Sequence, residues 1–231
     1  MHTLTHFRLC PFSRSIRLAL AELGIEVAAK EERPWEWRAA FLALNPAGDL
    51  PVLEIERGPV LAGAYVICEY LAEETRRHPG EGRALQLLPA AREDRAEARR
   101  IIDWFHRKLD REVTRELLIE KVYARLTPGG ERAPDADILR AVRVNLRNHL
   151  GYLGYLAEQR RWLAGDEMSF ADLAAAAHLS VIDYLGEVPW DEFHGARVWY
   201  ARIKSRPAFR TLLADRLAGM PPPLHYTDLD F

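Results

Sequence analysis

The chain has 231 residues and a formal net charge of −2, with 48% hydrophobic and 29% charged residues. That balance suits a soluble globular protein of one large domain or two small ones. No segment is basic enough for a nucleic-acid footprint, and the apolar runs are too short for membrane insertion. Two distant cysteines, Cys10 and Cys68, argue against a disulfide framework. With no basic region and apolar core at the start, they point to a reducing cytoplasm.

The first third alternates in type. Thr3 to Phe7 predicts a strand, and Cys10-Pro11-Phe12-Ser13 a turn, with Pro11 suited to a first helical turn. Ile16, Leu20 and Leu23 have helical spacing, and Gly24 ends that helix. Glu26–Lys30 predicts a second strand, and Trp35–Leu44 a short helix broken by Asn45-Pro46. Val52–Ile55 and Pro59–Leu61 predict a hairpin across Glu56-Arg57-Gly58, and Ala64–Glu74 a third helix. The order is β-α-β-α-β-β-α over residues 1–77. A polar, Pro/Gly-bearing linker is expected over 78–89.

From 90 to 217 the pattern is all-helical. Ala98, Ile102, Phe105, Leu109, Val113 and Leu117 mark the inward face of a long helix, and Arg107, Arg111 and Arg115 an outward stripe. A second long helix is expected over Ala136–Arg161. Ser169 and Asp172 form a capping box before the apolar stretch Leu173–Leu185. Helices over Trp199–Ile203 and Pro207–Leu217 close the bundle. Residues 218–231 form a Pro-rich spacer and an acidic-aromatic tail.

Two positions carry potential chemistry. Cys10, at a helix N-terminus, is where backbone N–H groups and the helix dipole favour thiolate, and Ser13 could hydrogen-bond a ligand sulfur. A buried, inert cysteine is the alternative. Pro51 lies inside an apparent strand. It is either a trans edge proline or a cis proline that exposes the Leu50 backbone to an extended peptide ligand. The histidines lack zinc-ligand spacing, no metal site is expected, and His106 and His178 read as structural.

The ordered set resembles the glutathione transferase superfamily. Cys10-Pro11-Phe12-Ser13 with Arg17, Leu18, Ala21 and Gly24 is similar to its first loop and helix. Asn45-Pro46-Ala47-Gly48-Asp49-Leu50-Pro51-Val52-Leu53 is similar to its proline-bearing run, and Ser169 with Asp172 to its helical-domain box. The resemblance implies a thioredoxin-like domain plus an all-α domain, a homodimer, and glutathione held near Leu50, Pro51, Gly63 and Ala64. If the protein were an enzyme, Ser13 or Cys10 would activate glutathione.

One departure weakens that expectation. Family members carry an acid and a serine where this chain has Gly63 and Ala64. A lost hydrogen bond to a charged group removes about 1.5–3 kcal/mol. Two such losses weaken binding by roughly two to four decades. Trp35, Trp37 and Arg38, or a partner subunit, are the candidates to compensate.

His225, Tyr226, Asp228, Leu229, Asp230 and Phe231 follow the proline spacer and suit either a linear recognition motif or a segment docked on the body. This ending resembles a subgroup of the family that binds the tubulin-like division filament protein FtsZ. The resemblance implies a protein-binding scaffold with a filament partner. The alternative is an active glutathione transferase or thiol transferase.

Overall fold

The computed structural model describes residues 1–77, 85–130 and 132–229. Within the expected linker, residues 78–84 lie outside the described residues, as do Asp230 and Phe231 of the tail.

The N-terminal domain is a four-stranded sheet ordered β2-β1-β3-β4, built from β1 (His2–His6), β2 (Val27–Glu31), β3 (Val52–Glu54) and β4 (Val60–Ala62). β1 pairs parallel with β2 and antiparallel with β3, and β3 pairs antiparallel with β4. Helix α1 (Pro11–Glu22) supplies the crossover that a parallel pair requires. Leu4, Thr5 and His6 are buried in succession, because β1 is an interior strand with both faces covered. Its alternation is therefore not an inside–outside alternation.

Cys10 caps α1, Pro11 opens it, and Gly24 (φ 68°) follows its end. The helix expected over Trp35–Leu44 is divided. Pro34–Glu36 form a 3-10 turn, Trp37 adopts the left-handed region (φ 48°), and α2 runs only Ala39–Leu44. A left-handed residue cannot continue a right-handed helix. The Leu50–Pro51 bond is cis. The β3–β4 hairpin turns through Arg57 (φ 58°), with Gly58 N–H donating to Ile55 O at 2.9 Å. Helix α3 (Ala64–Arg77) follows.

The helical domain begins with one rod. α4 (Arg92–Asp103) passes into wide π-type turns over Trp104–Thr114, then α5 (Arg115–Leu118), further wide turns over Ile119–Tyr123, and α6 (Ala124–Leu126). Phe105, Leu109, Val113 and Leu117 are all buried. A regular α-helix would rotate a stripe of four-residue spacing around its axis, and the wider turns offset that drift. Arg107, Arg111 and Arg115 are exposed and lie beside Asp103, Glu112 and Glu116.

Helix α7 (Ala136–Gln159) is capped by Asp135, whose carboxylate accepts from the Asp137 and Ile138 N–H groups. Helix α8 (Phe170–Tyr184) starts at the Ser169–Asp172 capping box, and every one of its residues is buried. It packs on α1 of the first domain and on α4 and α9 (His194–Lys204) of its own. The Asp172 carboxylate does more than cap. It accepts from the Leu163 N–H at 2.9 Å and the Trp199 indole N–H at 3.2 Å. The closing helix expected to Leu217 ends earlier: a 3-10 turn over Pro207–Phe209 leads into α10 (Arg210–Leu213). Among the described residues no helix is long and apolar enough to cross a membrane.

Candidate functional site

A cleft of about 460 Å³ lies between the domains. Cys10, Phe12, Leu50, Gly63 and Ala64 line it from the sheet side, and Asp110, Arg115 and Tyr123 from the rod. Cys10, expected to activate the ligand, therefore shares one cleft with Leu50, Gly63 and Ala64, expected to hold it. Pro51 sits behind the wall, its carbonyl accepting from the Gly63 N–H at 2.9 Å. Ser13 is fully buried, does not line the cleft, and its hydroxyl has no hydrogen-bond partner among the described residues.

The environment of Cys10 reverses the thiolate expectation. Its Sγ accepts from the Ser13 N–H at 3.4 Å, as a helix cap. Burial nevertheless pushes the thiol up to about 11, with hydrogen bonding from Ser13 pulling the other way. Desolvation of the charged form outweighs the favourable helix terminus. Cys10 is thus a neutral thiol at ordinary pH.

The turn into α3 holds Gly63 (φ 89°) and the buried Ala64, so it presents no side-chain acid or hydroxyl to the cleft. Of the side chains named as compensators, Trp35, Trp37 and Arg38, none lines the cleft. Arg38 is committed to Glu32, its Nε 3.0 Å from Oε1. Trp35 packs edge-on to Phe7 and at 4.5 Å from Tyr123. Trp37 is 64% exposed. Its ring lies so close to Gly48 that a Cβ there would come within 3.0 Å of it.

A polar chain not visible in the sequence fixes one wall. Ser15 Oγ donates to Phe12 O at 2.8 Å and lies 3.3 Å from His106 Nε2. His106 Nδ1 lies 3.0 Å from His178 Nε2, and His178 Nδ1 2.9 Å from Thr114 Oγ1. One directional arrangement satisfies every atom: Thr114 donates to His178, His178 to His106, His106 to Ser15. Both rings are then neutral. Burial agrees, holding His106 at about 3 and His178 well below its ordinary value. His106 also stacks on Phe12 at 4.8 Å. Neither histidine lines the cleft, and their ring nitrogens bond to each other and to the two hydroxyls.

The tail is docked. Prolines 221–223 lead into a 3-10 turn, Leu224–Thr227. Tyr226 is fully buried, donates to Leu212 O at 3.0 Å and accepts from the Arg14 guanidinium at 3.2 Å. Arg14, itself fully buried, also donates to Arg8 O, Ser180 Oγ and Asp215. His225 Nε2 lies 3.1 Å from the buried Asp183, and its carbonyl accepts from Lys204 Nζ at 3.1 Å. His225 and Tyr226 therefore anchor the tail to the body, while Leu224 (96% exposed), Asp228 and Leu229 face outward.

A thioredoxin-like domain with a cis-proline loop, joined through a cleft to an all-helical domain, defines the transferase fold. Family models agree: "Glutathione S-transferase, N-terminal domain" matches residues 9–74 and "Glutathione S-transferase, C-terminal domain" residues 124–207. The chain belongs to the glutathione S-transferase family. It is 49% identical to FtsZ-localized protein A of Caulobacter vibrioides, over 99% of this chain and 98% of that one. It is similar to a solved glutathione S-transferase from Sinorhizobium meliloti (TM-score 0.93, 47% identity, 100% of both chains). It is equally similar to the structure of FzlA from C. crescentus (TM-score 0.92, 47% identity, 100% of this chain and 99% of that one).

Proposed function

We propose that this chain is a dimeric, cytoplasmic protein-binding scaffold that engages the division filament protein FtsZ, and that its glutathione pocket is degenerate. The full-length likeness to FtsZ-localized protein A carries the reading. The cleft supports it: the thiol is neutral, Ser13 lies outside the cleft, and the turn at Gly63-Ala64 offers only backbone groups. Helix-terminal N–H groups alone retain a weak pull on an anion.

The partner surface is assigned to the outward tail residues Leu224, Asp228 and Leu229, followed by Asp230 and Phe231, and to Trp37. An exposed tryptophan is the side chain most often found at the energetic centre of an interface. Its neighbours Glu36 and Arg38 border one surface cleft with Arg216, Leu217 and Ala218, the segment that enters the tail. His225 and Tyr226 serve this surface indirectly, by holding the tail in place. The dimer is assigned to the exposed apolar side chains Val60 on β4 and Tyr65 and Val66 on α3.

Sedimentation with FtsZ filaments tests the partner, and calorimetry with glutathione tests the pocket. No heat of binding at about millimolar glutathione is expected, since binding is weakened by decades. Tight binding with turnover that is lost in Ser13→Ala or Cys10→Ala would establish the enzyme instead.

A further inference from the structure

The cleft contains a charged group that neither the partner nor the glutathione reading uses. Asp110 projects from the wide turns of the rod into the cavity. It is half-buried, and its carboxylate makes no hydrogen bond or ion pair among the described residues. The other charged side chains of the cleft are differently placed. Arg115 is largely exposed and lies 3.6 Å from Glu116, and Asp49 is on the exposed rim. Around Asp110 the lining is aromatic and apolar, with Phe12, Tyr65 and Tyr123 as its rings.

We propose that this cleft binds an organic cation: a protonated amine on a flat apolar body, held by the Asp110 carboxylate among the rings of Phe12, Tyr65 and Tyr123. A carboxylate with no direct ion pair or side-chain hydrogen bond, inside an aromatic-lined cavity, is complementary to such a ligand. The ring faces attract the cation, and the carboxylate fixes its position. His106, which packs on both Phe12 and Tyr65, is uncharged and does not oppose it, while the opposing Arg115 is largely exposed and lies beside Glu116. The size fits a small ligand, since pockets of about 300–1,000 Å³ take drug-sized molecules. A cation in the cleft requires no filament contact, and filament contact requires no cation, so each reading can fail without the other.

The pH behaviour follows from the surroundings of the carboxyl. Burial raises Asp110 to about 7, with Arg115 pulling it down and Glu116 pushing it up. Cys10 and Tyr123, the other titratable groups facing it, stay neutral because burial raises both. A cation binds the ionised carboxylate, so its affinity rises as the pH passes upward through about 7, and binding releases a proton below that point.

The test is calorimetry of the full chain with 2-phenylethylammonium chloride and with its uncharged counterpart 2-phenylethanol. At about pH 8 the ammonium should bind about tenfold more tightly than the alcohol, and the preference should shrink toward parity near about pH 6. Asp110→Asn should abolish the preference while leaving the alcohol's affinity unchanged, and Asp110→Glu should retain it. Equal affinities at the higher pH, a preference that survives Asp110→Asn, or no binding of the ammonium would overturn the proposal.

Discussion

Arg14 is the residue where the two domains and the tail converge. Its guanidinium reaches a loop carbonyl of the first domain, a serine of α8, Asp215 and the Tyr226 hydroxyl. Removing that hydroxyl leaves a buried charged donor and the Leu212 carbonyl each one bond short. Tyr226→Phe should cost about 2 kcal/mol in urea unfolding. A second residue-scale prediction concerns His106. Its folded pKa of about 3 lies below the ordinary 6.5. The unfolded chain therefore takes up a proton that the folded chain refuses, and stability is full above pH 6.5 and lost as pH falls toward 3. Asp110 and Asp172, raised to about 7 and about 6 by burial, push the other way over part of that range. The difference in slope isolates the histidine. Between about pH 6.5 and 4.5, the wild type should lose stability faster than His106→Gln in urea titrations, and parallel curves would contradict the assignment. At this scale the sequence was only partly legible. The position of Cys10 at a helix start was readable, but its burial was not, and burial decides its chemistry. Nothing in the sequence sets Asp110 apart from the other charges of its helix, because its orientation depends on the wide turns of the rod.

The tail is the element whose role changes most on seeing the fold. Its composition suits either a recognition motif or a docked segment, and over Leu224–Thr227 it is docked. Its docking partners, Arg14, Asp183, Lys204 and Leu212, are scattered along the chain, so no local pattern announces them. Deleting Leu224–Phe231 to test partner binding is therefore not neutral for the fold. That deletion should lower stability by more than about 3 kcal/mol, the scale for losing a buried large aromatic. Ending the chain after Thr227 keeps His225 and Tyr226 in place and should cost clearly less. Paired urea curves separate the two, and equal losses would mean that the anchoring lies beyond Thr227. Other elements were legible because their signals are local: Pro11 at a helix start, Gly58 in a hairpin turn, and the Ser169–Asp172 box. The divided second helix was not, because the left-handed turn at Trp37 has no sequence signature such as glycine.

At the scale of the whole molecule, an interdomain cleft persists with Gly63 and Ala64 at its turn and Ser13 outside its lining, which supports the proposed loss of glutathione recognition. Assembly is proposed to cover the exposed Val60, Tyr65 and Val66. Val66→Glu would bury a charge in that interface, so light scattering should show a dimer for the wild type and a monomer for the variant. The most direct measurement of the central claim is co-sedimentation with purified FtsZ polymerised in GTP, without glutathione. The chain should pellet with the filaments, and Trp37→Ala should weaken that binding by about tenfold or more, as for an interface anchor, with the fold intact. A chain that stays in the supernatant at saturating filament, or that pellets only when glutathione is added, would contradict the account.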